Sequence, residues 1–197
     1  MSTQVTGSGI NFNGSTSGTI LLTQPAVAGT NTITLPAETG TVISSVSPGT
    51  VVTRAYVENT AYSSSAATIP SDDSIPQVGE GTQILTQSIT LKSASNRVRV
   101  TVSGSLSSDT GPDSGSVALF FDGGANAVNA AQFTTTSGGY QMVNSFVFEH
   151  VPGVTGSHTY AIRVGCNTYT SYINGSTSTR LYGGTSRWAM VIEEIAP

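Results

Sequence analysis

Charge is what this chain has least of. Asp, Glu, Lys and Arg together make up 9% of 197 residues, against roughly 25% in an average soluble domain. The seven Lys and Arg are scattered, and only Arg97 and Arg99 lie close together. That excludes a nucleic-acid surface, which needs clustered cations to displace counterions. A single cysteine, Cys166, excludes an intrachain disulfide framework. No apolar run approaches the roughly 18 residues of a membrane helix, so membrane insertion is not expected. The start, MSTQVTGSGINF, has neither a cationic n-region nor an apolar h-region, so no signal peptide is visible. The expected place of synthesis is a cytoplasm.

In place of charge the chain carries Ser, Thr, Gly, Asn and Gln, with abundant Val and Ile. Disordered chains lack β-branched residues and carry high charge; this composition instead reads as folded and β-rich. Apolar residues alternate with polar ones between turn residues, the period of half-buried strands. In NRVRVTVSGSL, Val98, Val100 and Val102 share a face. HTYAIRVGC puts Tyr160, Ile162, Val164 and Cys166 in register, and QMVNSFVFEH groups Met142, Phe146 and Phe148. SVALFFDGG aligns Val117, Leu119 and Phe121 before an Asp122-Gly123 turn. ILTQSITLK, VVTRAYV and RWAMVIEEI add strands, and TYTSYINGSTSTRLYGG reads as a hairpin around Asn174-Gly175. Eight or nine strands from Val51 onward predict a sandwich or barrel.

The stretch SSVSPGT, Ser44 to Thr50, reads as a boundary. It separates an N-terminal β module, residues 1–48, from a head domain, residues 49–197. The module has short strands (INF, a turn at Asn13-Gly14, GTILLT, NTITLP) and few large apolar residues. At that size it could hardly bury a core alone. Either the module packs on the head domain or other chains cover it; the second is expected, with Ile20, Leu21, Leu22, Ile33 and Leu35 docking between subunits or on a larger particle.

Catalytic equipment is sparse. His150 and His158 are the only histidines, and GSTSG has Thr16 where a nucleophile elbow needs Ser. A Cys166–His158 site is conceivable, but Cys166 continues an inward-facing row and reads as core. Glu193 and Glu194 are adjacent, so on a strand they face opposite ways and make no glycosidase pair. Asp109, Asp113, Asp72 and Asp73 lack the calcium-loop spacing and read as turn formers. The NGS sequons at Asn13 and Asn174 read as turns. No catalytic residue, metal or cofactor is assigned. The candidates for surface-loop contacts are Tyr169, Tyr172 and Tyr182, because tyrosines on Ser/Gly-rich loops give contact area at low entropy cost; the competing reading is that they cover sheet edges. The loop Thr68–Thr82 is too apolar at Ile69, Ile75 and Val78 to be free, and is expected to lie across a protein surface, its own or a neighbour's.

Two stretches carry a resemblance. FNGSTSGTILLTQPAVAGTNTITLPAETGTV resembles a module near the N-termini of tailed-bacteriophage fibre-like and decoration-like proteins. IPSDDSIPQVGEGTQILTQSITLKSASNRVRV, with SVALFFDGGANAV, FVFEHVPGVTGSHTYAIRVG and YGGTSRWAMVIEEI, is similar to a head domain of the same proteins. The resemblance implies a jelly-roll β-sandwich like tumour-necrosis-factor heads, assembled as a homotrimer on the virion surface. It implies a non-enzymatic decoration or cement protein, whose partner through the N-terminal module is the major capsid protein or another virion protein. The alternative it implies is a short tail fibre or spike whose head binds a host surface glycan or protein.

Overall fold

The computed structural model describes residues 10–13, 17, 19–22, 47–135, 138–177 and 179–197. The chain divides into two units, Met1–Val42 and Ile43–Pro197. In the first, β1 (Ile10–Asn13) pairs antiparallel with β2 (Thr19–Leu22), Ile10 opposite Leu22 and Asn13 opposite Thr19. Ile20, Leu21 and Leu22 thus lie in β2; Ile33 and Leu35, with the expected strand NTITLP, lie outside the described residues.

In the second unit, β3 (Val51–Asn59) and β4 (Ser63–Ser65) precede the long strands β5 (Thr82–Leu91), β6 (Arg97–Ser108) and β7 (Asp113–Phe121). Then follow β8 (Asn129–Thr135), β9 (Met142–His150), β10 (Gly156–Cys166), β11 (Ser171–Ile173), β12 (Gly175–Ser176), β13 (Thr179–Arg180) and β14 (Trp188–Ile195). No α-helix occurs among the described residues; a single 3-10 turn spans Tyr182–Gly184. One sheet has the order β5-β10-β7-β8. In the other, β3 pairs β14 and β14 pairs β6. Residues Val98 to Ser103 of β6 pair with β14 on one side and with β9 on the other. The second sheet is therefore β3-β14-β6-β9, extended at one end by β11 and β4. Two four-stranded antiparallel sheets in these orders make a jelly roll.

The alternation read from the sequence fills the space between the sheets. Val98, Val100, Val102, Val117, Leu119, Tyr160, Ile162, Val164, Cys166, Trp188, Met190 and Ile192 are all fully buried there. Gly104 interrupts the valine row of β6 because Trp188 needs its place: a Cβ on Gly104 would fall 2.0 Å from the indole. The Trp188 indole N–H donates to the Ser105 carbonyl at 2.8 Å, as a buried indole must.

The strand VALFF is buried on both faces. Ala118 and Phe120 point away from the sandwich core, yet are covered by Ile69. The loop Thr68–Thr82 therefore lies across its own outer sheet, pinned by Arg163, whose guanidinium donates to the carbonyls of Glu80 and Gly81. Only Ile69 of its three apolar residues is buried; Ile75 and Val78 stay exposed.

Two turns differ in their fate. Asp122 (φ 49°) and Gly123 (φ 66°) form the expected tight turn, closed by Gly124 N–H to the Phe121 carbonyl at 3.0 Å. The hairpin expected around Asn174-Gly175 is not there. Asn174 (φ 57°) is a buried bend whose amide donates to the carbonyls of Asn59 and Ala61. β11 before it joins β6 and β4, and β12 after it pairs only with β13. Tertiary hydrogen bonds outbid the local turn signal. Ser47–Thr50, in the stretch read as a boundary, forms a turn held to the far end of the chain: Gly49 N–H reaches the Ala196 carbonyl, and Ala196 N–H reaches Thr50.

Candidate functional site

The groups that could do chemistry are kept apart. Cys166 and His158 sit on the same strand eight residues apart, roughly 26 Å at about 3.3 Å per residue. Cys166 is fully buried, and that burial pushes its thiol up, away from a reactive thiolate. His158 Nδ1 lies 2.6 Å from Asp122 Oδ2, but its Nε2 faces the Thr155 carbonyl at 3.0 Å. A carbonyl has no proton to give, so this pair activates no nucleophile. Glu193 faces outward and Glu194 inward, as adjacent strand residues must. Glu194 is a structural carboxylate: its Oε1 accepts from the backbone of Lys92 and Ser93 and from the Asn96 amide, which closes the β5–β6 connection. Among the described residues no group of three His, Cys, Asp or Glu could hold a metal ion.

His158 and Asp122 instead make a pH-sensitive clasp where β7 ends beside the start of β10. The hydrogen bond to Asp122, then the one to Thr155, holds the imidazole above its ordinary value of 6.5. On Asp122 partial burial opposes ionisation, but the hydrogen bonds from His158 and Thr159 N–H prevail and hold the carboxyl low. A raised folded-state value means stability fully present below about pH 6.5 and lost as pH rises through the folded value. The Tm advantage of the natural chain over His158→Asn should therefore shrink steadily from pH 5.5 to pH 9. His150, which burial pushes the other way, is present in both chains and cancels in the difference. An advantage that stays constant over that range would sink the assignment.

Of the three candidate tyrosines, Tyr172 stacks on Tyr62, with ring centroids 6.5 Å apart and planes at 10°. Tyr172 is half-buried in β11, which lies between β6 and β4. Tyr169 is tied down through its backbone N–H to Asp113 at 3.0 Å. Tyr182 is 74% exposed, against 40% for Tyr169.

What sequence reasoning missed is the outer face of the β3-β14-β6-β9 sheet. Tyr56, Val191, Thr101 and Val147 form one row straight across it by register. Val147 and Val151 are each 60% exposed, Val143 is 81% exposed, and Tyr56 is 51% exposed. The signal was available: β9 carries Phe146 and Phe148 on one face and Val143 and Val147 on the other, so it is apolar on both. The charges on this face are paired within the chain. Arg99 and Arg97 reach Glu149 at 2.9 and 3.4 Å, Arg187 reaches Glu58 at 2.9 Å, and Arg54 approaches Glu193 at 3.9 Å. β9 is also the edge of its sheet, paired only with β6 among the described strands.

At one end of this face lies a trough of about 230 Å³, lined by Ser103, Ser105, Gln141, Val143, Tyr182 and Arg187 among others. It opens where β3 ends and where β9 and β14 begin. Chain entry, at Val51, is at the opposite end of β3, roughly 27 Å away at about 3.4 Å per residue.

The fold is thus an antiparallel β-sandwich of jelly-roll type. No known protein family matches the chain, and no curated protein matches it. Among solved structures it is similar to a chain from "Bacillus endospore appendages form a novel family of disulfide-linked pili". The identity is 16%, over 80% of this chain and 100% of that one, with a TM-score of 0.26. No helix among the described residues is long and apolar enough to cross a membrane.

Proposed function

We propose that the chain is a non-enzymatic structural protein of a tailed-phage virion surface, a homotrimeric decoration or cement protein. The N-terminal module would dock on the major capsid protein or another virion protein, and the jelly-roll head would join its copies. The observation that carries this reading is the Tyr56–Val191–Thr101–Val147 row, exposed between ion pairs on the outer face of β3-β14-β6-β9, beside an edge strand that pairs on one side alone among the described strands. An exposed edge with a wet valine row is a liability in a monomer and an asset in an assembly. Arg54, Arg97, Arg99 and Arg187 meet only Glu58, Glu149 and Glu193, so this face keeps one positive charge in excess, and the apolar row rather than the charged flanks is the part that this reading covers. The resemblance of both sequence segments to phage decoration-like and fibre-like proteins supplies the virion context.

Sedimentation equilibrium of the full chain tests the assembly. The expected mass is three times the 20.1 kDa of one chain; a single-chain mass at micromolar concentration would overturn the reading. The second reading, a short tail fibre whose head meets a host receptor, is favoured by the exposed ring of Tyr182. A map of the particle separates them, with density on the capsid shell for the first and at the tail tip for the second.

A further inference from the structure

We infer that the end of the sandwich above Val98 is a binding site for one ordered internal water, held jointly by His150, Tyr160 and Glu194. The inference concerns the head alone and does not rest on the role proposed above.

The first observation is three buried polar atoms with nothing to bond. Among the described residues, His150 Nε2, Tyr160 Oη and Glu194 Oε2 are sealed from solvent and have no hydrogen-bond partner. Tyr160 and Glu194 are fully buried as whole residues. Buried polar atoms in folded proteins are nearly always satisfied, because a dry one forfeits the bonds that solvent gave it in the unfolded chain.

The second observation is that the fold brings these residues to one place. Val98 of β6 pairs with His150 of β9 on one side and with Glu194 of β14 on the other. Register partners point to the same face, so the three form a row toward the core. His150 and Glu194 stand about 10 Å apart across two strand spacings. Val98 supplies an apolar floor between them. Tyr160 comes from β10 in the opposite sheet. Its ring stands edge-on to His150, with centroids 6.5 Å apart and planes at 78°. Phe121 packs on both rings, 5.3 Å from His150 and 5.0 Å from Tyr160. Tyr160 thus meets the row at its His150 end, while its phenol feels the Glu194 charge at the other.

The third observation is how donors and acceptors match. Burial, then the charges of Asp122 and Glu194, push the Tyr160 phenol up, so it keeps its proton and donates. Burial pushes His150 down, so at neutral pH its ring is uncharged and one nitrogen accepts. Glu194 Oε2 is a second acceptor, since Oε1 is taken by Lys92, Ser93 and Asn96. Asp122, the other carboxylate near the phenol, already has its oxygens on His158 and Thr159 N–H. One donor and two acceptors are the complement of a water molecule, which accepts from Tyr160 and donates to Glu194 and His150. A metal ion suits the set poorly, because it offers no acceptor to the phenol proton. The water fastens β10 of one sheet to β9 and β14 of the other, and through Glu194 to the β5–β6 connection.

A high-resolution crystal structure of the full chain tests the site directly. A density peak should lie about 2.7–3.2 Å from all three atoms. Nitrogen NMR at neutral pH should find the His150 proton on Nδ1, because Nε2 receives the water. Tyr160→Phe, which removes one oxygen and keeps the packing, should lower Tm by about 2–4 °C. A hydroxyl that was dry would give the opposite sign, because its removal relieves a buried unsatisfied group. No density between the three atoms, a Tyr160 hydroxyl bonded directly to Glu194, a proton on His150 Nε2, or an unchanged or raised Tm in Tyr160→Phe would each overturn the site.

Discussion

Trp188→Ala is expected to cost the head about 3–5 kcal/mol, the range for emptying a buried tryptophan site. In a chain of this size that lowers Tm by roughly 10–15 °C. The indole is fully buried, closes the sandwich against β6 and carries a hydrogen bond to the Ser105 carbonyl. Removing it leaves a cavity and a buried carbonyl without its donor, and neither is repaired by small shifts of two hydrogen-bonded sheets. Gly104→Ala approaches the same contact from the other side. Its methyl would enter the ring plane at 2.0 Å, so β6 or Trp188 must move. Trp188 is the only tryptophan in the chain, and its emission should shift to the red in Gly104→Ala. Thermal melts by circular dichroism cover the variant that lacks the fluorophore. A loss below about 1 kcal/mol in Trp188→Ala would mean that the indole is not the keystone described.

In the proposed trimer, Val147→Glu should yield single chains while leaving the head folded. Val147 lies on the outer face and is 60% exposed in one chain, so a carboxylate there is fully hydrated in the monomer. In an assembly that covers the Tyr56–Val191–Thr101–Val147 row, the same carboxylate would be buried without a partner. Breaking charge balance in a buried site costs about 3–5 kcal/mol, and a cyclic trimer incurs it at all three interfaces. The expected readout is a fall from three times 20.1 kDa to one, with an unchanged far-ultraviolet spectrum. Ser157→Glu, an exposed site on the opposite sheet, is the control and should leave the mass alone. A natural assembly mass in Val147→Glu would move the interface elsewhere.

The strands with strict alternation were legible because burial on one face imposes a period of two. Val98, Val100 and Val102 of β6, and Tyr160, Ile162, Val164 and Cys166 of β10, all face the core as their spacing requires. β8 was not legible: NAAQFTT has one large apolar residue, and its strand state comes from pairing with β7. β4, three serines, is fixed by its β11 partner rather than by any propensity. The Asn174 turn signal was real, but its amide found partners 113 and 115 residues away, which no local window contains. The site followed the same divide. Tyr182 was visible as an aromatic on a Gly-rich loop, whereas Ser103 of β6, Gln141 before β9 and Arg187 before β14 line a trough with it only in the folded chain.

The clasp between Gly49, Thr50 and Ala196 places the entry and exit of the head within hydrogen-bonding distance of each other. A domain with adjoining ends is a cassette. It can be spliced into a loop of another protein without stretching its host, and its own order can be permuted by joining those ends and cutting at an exposed turn such as Gly153. A fused cargo at Pro197 would emerge beside the residues that lead into β3. Cargo meant to be displayed would be better carried by the loops at the opposite end, beyond Asn59.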